Sequence, residues 1–263
     1  MVYAIRKGIL FYGERPVRQI ASPNHSGAFR RPPAILVMHY TAGASATGSA
    51  NWLADPAASA SAHAVIARSG EVIQCVSLDN RAWHAGRSAW KGLEGLNSHS
   101  IGIELANWGP LVRHPSGTGW ANPAGARVDA IEAAHKHGGS VRGWEVYPEA
   151  QIAAAQEVAR AVAAYLPIAE IVGHEDIAPG RKTDPGPAFA MDTFRAAVLD
   201  GAHRAAPRTA TVMPAALNVR SGPGLAFPVI ASLARGSTVT PGEVHRDWIA
   251  IGPSRWVYGQ YLA

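Results

Sequence analysis

The sequence has a single cysteine, Cys75, in 263 residues. No intrachain disulfide can form, and a metal centre would have to be built from histidine and carboxylate side chains instead of a cysteine cluster. Cys75 itself reads as a small buried apolar residue. Charge is also sparse: charged residues make up 16% of the chain, and no run of five or six like charges marks a nucleic-acid arm. Long apolar runs are missing as well. Nothing approaches the ~18 consecutive apolar residues of a membrane span, and the opening MVYAIRKGILFYGERPVRQI lacks the apolar core of a signal peptide. The expectation is a chain that is cytoplasmic when synthesised and does not insert into a membrane.

Apolar residues make up 48% of the chain, enough to build a core and to exclude disorder of the whole. The net charge of +5 is a small excess that suits polyanionic surroundings such as cell wall or nucleic acid without naming a partner. The length accommodates one ordinary domain and a small second one.

Along the chain, AILVMHYTA at 34–42 is a short β-branched and aromatic run, the pattern of a buried strand with His39 at its end. SAHAVIARSGEVIQCV at 61–76 alternates on both sides of Ser69 and Gly70, which predicts a hairpin. In SIGIELAN, 100–107, Ile101, Ile103 and Leu105 point one way and Gly102, Glu104 and Ala106 the other. From Asn107 to Glu145 no period is visible, and the stretch reads as a long loop; His135 and His137 lie in it with no motif behind them. Residues 148–166 are Ala-rich with Ile152, Val158, Val162 and Leu166 at helical spacing, and Pro148 suits a first turn. A strand at 171–174 and a helix from about 191 to 200 follow. The fold class expected is α/β, a mixed central sheet flanked by helices over residues 1–200, then a linker at 201–211 with the boundary near 208. After it comes a small all-β barrel at 212–263, built of short strands between Gly and Pro turns.

The stretch GHEDIAPGRKTDPGP, 173–187, places His174, Lys182 and Asp184 around one loop directly after a strand. A catalytic zinc site takes three protein ligands from His nitrogen and carboxylate oxygen and leaves a fourth position open. His174 and Asp184 fit two of those ligands, and a strand-end histidine such as His39 fits the third. Equally consistent with the spacing is a loop-capping His174 beside a turn-forming Asp184.

Six stretches together carry a family likeness: SPNHSG at 22–27, LVMHYTAG at 36–43, SAHAVIARSGEVIQ at 61–74, RAWHAG at 81–86, NSHSIGIEL at 97–105 and GHEDIAPGRKTDPGPAF at 173–189. On them the chain resembles the zinc-dependent N-acetylmuramoyl-L-alanine amidases of the T7-lysozyme, AmpD and peptidoglycan-recognition-protein superfamily, closest to the AmpD-like branch. The resemblance implies an amidase that cuts peptidoglycan between N-acetylmuramic acid, or its anhydro form, and L-alanine, with Zn²⁺ held by His39, His174 and Asp184. In the T7-lysozyme branch the third ligand is a Cys; here it is Asp184. Glu104 falls on the general-base position and Lys182 on that of an oxyanion partner, while His63 and His84 match positions near the cleft and are assigned to substrate contact or ligand support, or else to the core. Other branches implicate a Tyr in the hairpin, where this chain has Ala62, which shifts weight to Glu104.

LNVRSGPGLAFPVIASLARGSTVT at 217–240, ending in RWVYGQYL, resembles a bacterial SH3 domain. That implies binding to peptidoglycan, with Trp248, Trp256 and Tyr258 either contacting the wall or forming barrel core. The partner expected is peptidoglycan or muropeptide substrate, with no nucleic acid. The wall-binding module favours an endolysin, the AmpD-like motifs a recycling enzyme acting on anhydro-muropeptides, and the balance is set on the lysin. Against a non-catalytic peptidoglycan binder stands the full ligand set; against a different zinc peptidase, the lack of an HExxH helix.

Overall fold

The computed structural model describes residues 2–200, 210–242, 244–245 and 248–262. By its contacts the chain divides into two units, Met1–His203 and Arg204–Ala263. The expected linker at 201–211 lies outside the described residues except for Ala210 and Thr211, which belong to a strand.

The first unit opens with an antiparallel meander, Tyr3–Arg6 (β1), Ile9–Tyr12 (β2) and Arg15–Pro16 (β3). The central sheet begins with Arg18–Gln19 (β4) and the apolar run Ile35–Tyr40 (β5), buried along nearly its whole length as a strand flanked on both faces must be. Helix Ala46–Ala54 (α1) follows, its start capped by Ser45, whose side chain accepts from the Gly48 amide at 3.0 Å. The hairpin predicted across Ser69 and Gly70 forms from Ala64–Ile66 (β6) and Val72–Gln74 (β7). Next comes Ser100–Leu105 (β8).

The stretch expected to be a long loop contains four short strands in two hairpins, Val112–Arg113 (β9) with Trp120–Ala121 (β10), and Ala130–Ala133 (β11) with Arg142–Glu145 (β12). These strands, two to four residues each, are too short to print a period on the sequence. Helix Glu149–Tyr165 (α2) then leads to Glu170–Gly173 (β13), which ends one residue before His174. His174–Ile177 is a single helical turn (α3). The helix expected at 191–200 is α-helical over Met191–Arg195 (α4) and widens to a π turn over Ala196–Asp200.

The six strands lie in the order β13-β5-β8-β6-β7-β4. The pairs β13-β5, β5-β8, β8-β6 and β7-β4 are parallel, and β6-β7 is antiparallel, so the sheet is mixed. The alternation read in SIGIELAN decides the layers. Leu36 and Met38 of β5 and Ile101, Ile103 and Leu105 of β8 form one core with Ala155, Val158, Ala159 and Val162 of α2. The opposite face carries His39, Gly102 and Glu104, with Ala46, Ala50 and Leu53 of α1 packed on the same side against Val65 and Ile73. Strands β5, β8 and β13 run in parallel, so their carboxyl ends fall at one edge, where open α/β sheets place ligands. Among the described residues no helix is long and apolar enough to cross a membrane.

The second unit is all antiparallel. Ala210–Thr211 (β14) pairs with Thr238–Val239 (β17), and Ala216–Arg220 (β15), Val229–Ala234 (β16), Val244–His245 (β18), Trp248–Gly252 (β19) and Arg255–Tyr258 (β20) form a sheet ordered β16-β15-β20-β19-β18. Val212, Leu217, Val219, Val239 and Val257 make its core.

Candidate metal centre

His39 ends β5, His174 follows β13, and Asp184 returns on the loop after α3. Parallel pairing sets Gly173 beside Met38, so the two histidines leave adjacent strands at nearly the same level. All three side chains are buried. His39 Nδ1 lies 2.9 Å from His174 Nδ1, and Asp184 Oδ2 lies 3.0 Å from each of the two nitrogens. These three are the atoms that converge as a group able to hold a metal ion.

Whether the cluster fits a cation can be tested on its outward-facing atoms. His174 Nε2 is 3.0 Å from the Ala85 carbonyl oxygen, which can only accept, so Nε2 carries the proton and Nδ1 presents its lone pair to the cluster. His39 Nε2 is 3.0 Å from His84 Nδ1, while His84 Nε2 reaches the Ser100 hydroxyl at 3.2 Å. One proton arrangement satisfies the chain: His84 keeps its proton on Nε2, His39 donates from Nε2, and His39 Nδ1 is left as a lone pair. Burial, reinforced by His174 and only partly offset by Asp184, pushes the His39 imidazole down to about 4. Burial works to raise the Asp184 carboxyl, but its contacts with His174 and His39 outweigh it and hold the group well below the usual carboxylate range. Two imidazole nitrogens and a carboxylate oxygen, each within 3.0 Å of the others, are a donor set that fits a borderline cation such as Zn²⁺.

Glu104 lies beside His39 in the β5-β8 register, on the same face of the sheet. Its Oε2 is buried with no hydrogen-bond partner. Burial, then the Asp184 charge, push its carboxyl up to about 8, with Lys182 pulling the other way. Glu104 and Lys182 line the same cleft as the three ligands, a space of about 500 Å³.

Three further residues of this cleft escaped the sequence reading. Tyr40 donates to or accepts from Thr183 Oγ1 at 2.7 Å, tying the end of β5 to the loop that carries Asp184. Both stand inside motifs, next to His39 and Asp184, and adjacency was the signal available. Trp52 projects from α1 into the mouth of the cleft, 57% exposed, with no motif to mark it.

The two histidines assigned alike part company. His84 lines the cleft and supports His39. His63 does not reach the cleft. Its Nδ1 accepts from the Gly102 amide at 2.9 Å and its Nε2 donates to the Asn80 carbonyl at 2.9 Å, so both nitrogens are spent on backbone and the residue is core. Ala62 is fully buried, and Cys75 is buried with its thiol pushed up to about 12 by burial. In the second unit Trp248 is buried and Trp256 and Tyr258 are partly so; among the described residues the large exposed apolar side chains there are Met213, Leu225, Phe227, Val229, Ile230 and Tyr261.

The chain is a mixed α/β fold that sets a buried His-His-Asp cluster, able to hold a metal ion, at the carboxyl ends of its parallel strands. The chain belongs to the N-acetylmuramoyl-L-alanine amidase family, whose match covers residues 29–187, and residues 215–263 match the bacterial SH3 domain. It is 38% identical over 146 residues to the 1,6-anhydro-N-acetylmuramyl-L-alanine amidase AmpD of Salmonella typhimurium (strain SL1344), covering 55% of this chain and 60% of that one. It is 37% identical over 118 residues to the N-acetylmuramoyl-L-alanine amidase AmiD of Escherichia coli (strain K12), covering 44% of this chain and 34% of that one. The chain thus spans less than two thirds of the length of either relative. A solved structure of a selenomethionine derivative of AmpD aligns at a TM-score of 0.49 and 31% identity, over 74% of this chain and 98% of that one.

Proposed function

We propose that the chain is a zinc-dependent amidase hydrolysing the bond between N-acetylmuramic acid, or its anhydro form, and L-alanine, with His39, His174 and Asp184 as the metal ligands. The observation that carries this is the convergence of three lone-pair donors, 2.9–3.0 Å apart, beside a buried carboxylate oxygen with no partner. The family match and the names of the relatives supply the substrate class.

Zinc in this donor set supplies Lewis acidity, which polarises an amide carbonyl and makes water a stronger acid. The remaining chemistry belongs to the chain. Glu104 Oε2 is a free acceptor facing the cleft, suited to taking a proton from the attacking water and passing one to the leaving L-alanine nitrogen. A cation in the cluster acts on Glu104 in the same direction as Lys182, so loading the site favours the ionised form the base role needs. Lys182 contributes an ammonium that stabilises the negative charge developing on the carbonyl oxygen. Tyr40, whose hydroxyl is pushed up to about 12 chiefly by burial, stays neutral and acts as a hydrogen-bonding wall.

Anhydro-muropeptide is the first substrate to test, because the AmpD relatives carry it in their name. Action on intact wall is the second reading, favoured by the bacterial SH3 match, which would hold the enzyme at an insoluble substrate. Mass spectrometry of products from soluble anhydro-muropeptide and from sacculi distinguishes them. The purified protein should carry about one zinc per chain, lose it and its activity to a chelator, and regain both with Zn²⁺. Undiminished cleavage by metal-free protein would sink the proposal.

A further inference from the structure

We infer that Glu175, gripped by His135 and Lys136 from the 107–145 excursion, is a positioning residue that sets the separation of His174 from Asp184 and so the zinc affinity of the site. The inference rests on the metal-site reading above.

Glu175 is buried and follows ligand His174 directly. It holds the other ligand twice. Its backbone amide donates to the Asp184 carbonyl at 2.8 Å, and its carboxylate Oε2 accepts from the Gly186 amide at 3.2 Å, two residues beyond Asp184. One residue therefore closes the loop that brings His174 and Asp184 together. A buried carboxylate is costly unless charge and hydrogen bonds compensate it. Compensation comes from a segment forty positions earlier in the chain. His135 Nε2 donates to Oε2 at 2.6 Å, and Lys136 Nζ lies 2.8 Å from Oε1. Lys136 also reaches Asp176 Oδ1 at 2.5 Å, and His137 Nε2 donates to the Glu175 carbonyl at 3.0 Å.

The excursion is anchored firmly enough to transmit this grip. At its base the Glu145 carboxylate pairs with Arg68 at 2.7 Å and accepts from the Trp108 amide at 2.6 Å. Near its end Trp144 lies so close over Gly186 that a Cβ there would sit 2.8 Å from the ring. Among the described residues none from 107 to 147 lines the metal cleft, so the excursion reaches the ligands from outside it. Glu175 likewise lies outside the cleft lining, which separates it from the reacting groups.

The test titrates the metal-free full-length chain with Zn²⁺ against a chromophoric chelator, for wild type, His135→Ala, Lys136→Ala, Glu175→Gln and Glu175→Ala, well below their melting temperatures. Val141→Ala, an exposed change in the same excursion, serves as the control. Loss of a group that orients metal ligands costs about 10–100-fold in affinity. His135→Ala should therefore weaken zinc binding by about that factor, and Lys136→Ala in the same direction. Glu175→Gln, which keeps an acceptor for Gly186 but loses the charge, should fall between wild type and Glu175→Ala. The visible spectrum of the Co²⁺-loaded protein should shift in the same variants and not in Val141→Ala. Should Glu175→Ala fail to fold, the two excursion variants still decide the matter. Wild-type affinity and an unchanged Co²⁺ spectrum in His135→Ala and Lys136→Ala would overturn the inference, while failure of the wild type itself to bind zinc would overturn the metal-site reading beneath it.

Discussion

Gly102→Ala is the smallest change that tests the support of the metal ligands, because it adds one methyl group and touches no ligand. A Cβ at position 102 would lie 2.4 Å from His84 Cγ and 2.5 Å from His84 Nδ1, where ordinary contact begins at 3.4 Å. The His84 ring must then retreat by about 1 Å or the strand must bend, and overpacking of this kind costs about 1–3 kcal/mol. For a unit of this size that corresponds to a melting temperature lower by roughly 2–12 °C. The ring has little room to retreat without losing contacts, since its Nδ1 is bonded to His39 at 3.0 Å and its Nε2 to Ser100 at 3.2 Å. Breaking the first bond frees the His39 ring to turn, and zinc affinity should fall by about 10–100-fold. Calorimetry of the metal-free protein reads the first effect and a chelator competition the second. His84→Ala removes the ring that the added methyl group would strike, so the double variant should cost no more than His84→Ala alone. Wild-type melting temperature and zinc affinity in Gly102→Ala would refute the reasoning.

Glu104→Gln and Lys182→Ala should retain zinc and lose turnover, each by roughly 10² or more, because the first cannot accept a proton and the second removes an oxyanion partner; near wild-type rates with zinc bound would transfer the base role to another group. The pH dependence of metal-free stability should carry two opposed signatures. Burial depresses His63 from 6.5 to about 4, so the unfolded chain takes up its proton first and stability should fall as pH drops from about 6.5 to about 4, by about 3 kcal/mol from this residue. Glu104 is raised from 4.5 to about 8, so the unfolded chain loses that proton first, and metal-free Glu104→Gln should gain on wild type as pH rises through this window, a difference that urea melts at pH 5 and pH 8 would expose or dismiss. Cutting the chain near residue 208 should leave soluble muropeptide cleavage intact but weaken sedimentation with sacculi; equal sedimentation of both forms would remove the wall-binding role.

The proposed ligands stood out because each is carried by a local pattern, His39 at the end of an apolar strand and His174 and Asp184 on a Gly- and Pro-rich loop after another, while the choice of a metal role over a capped loop came from the family likeness. The face of β8 that Glu104 occupies was legible from period-two alternation alone, while its proposed role came from the family likeness. The surroundings of His63 were not, since the family likeness sets it near the cleft while only the structure shows both its ring nitrogens bonded to the backbone of Gly102 and Asn80. The aromatic residues of the second unit show the same gap. Composition finds Trp248, but only the packing of the small barrel shows that it is buried while Leu225 and Phe227 are exposed.

Elements, alternating faces and donor types follow from periodicity and side-chain chemistry read over a few neighbouring residues, so the chain's local text is enough to specify them. Contacts between residues forty or more positions apart are set by the way the elements pack. Parallel pairing brings His39 level with the end of β13, and folding back of the 107–145 excursion delivers His135 and Lys136 to Glu175. Those contacts join chemically ordinary residues in a stretch whose strands are too short to show a period, so the sequence carries no local signal of them, and the metal loop is held by partners that only the folded chain makes neighbours.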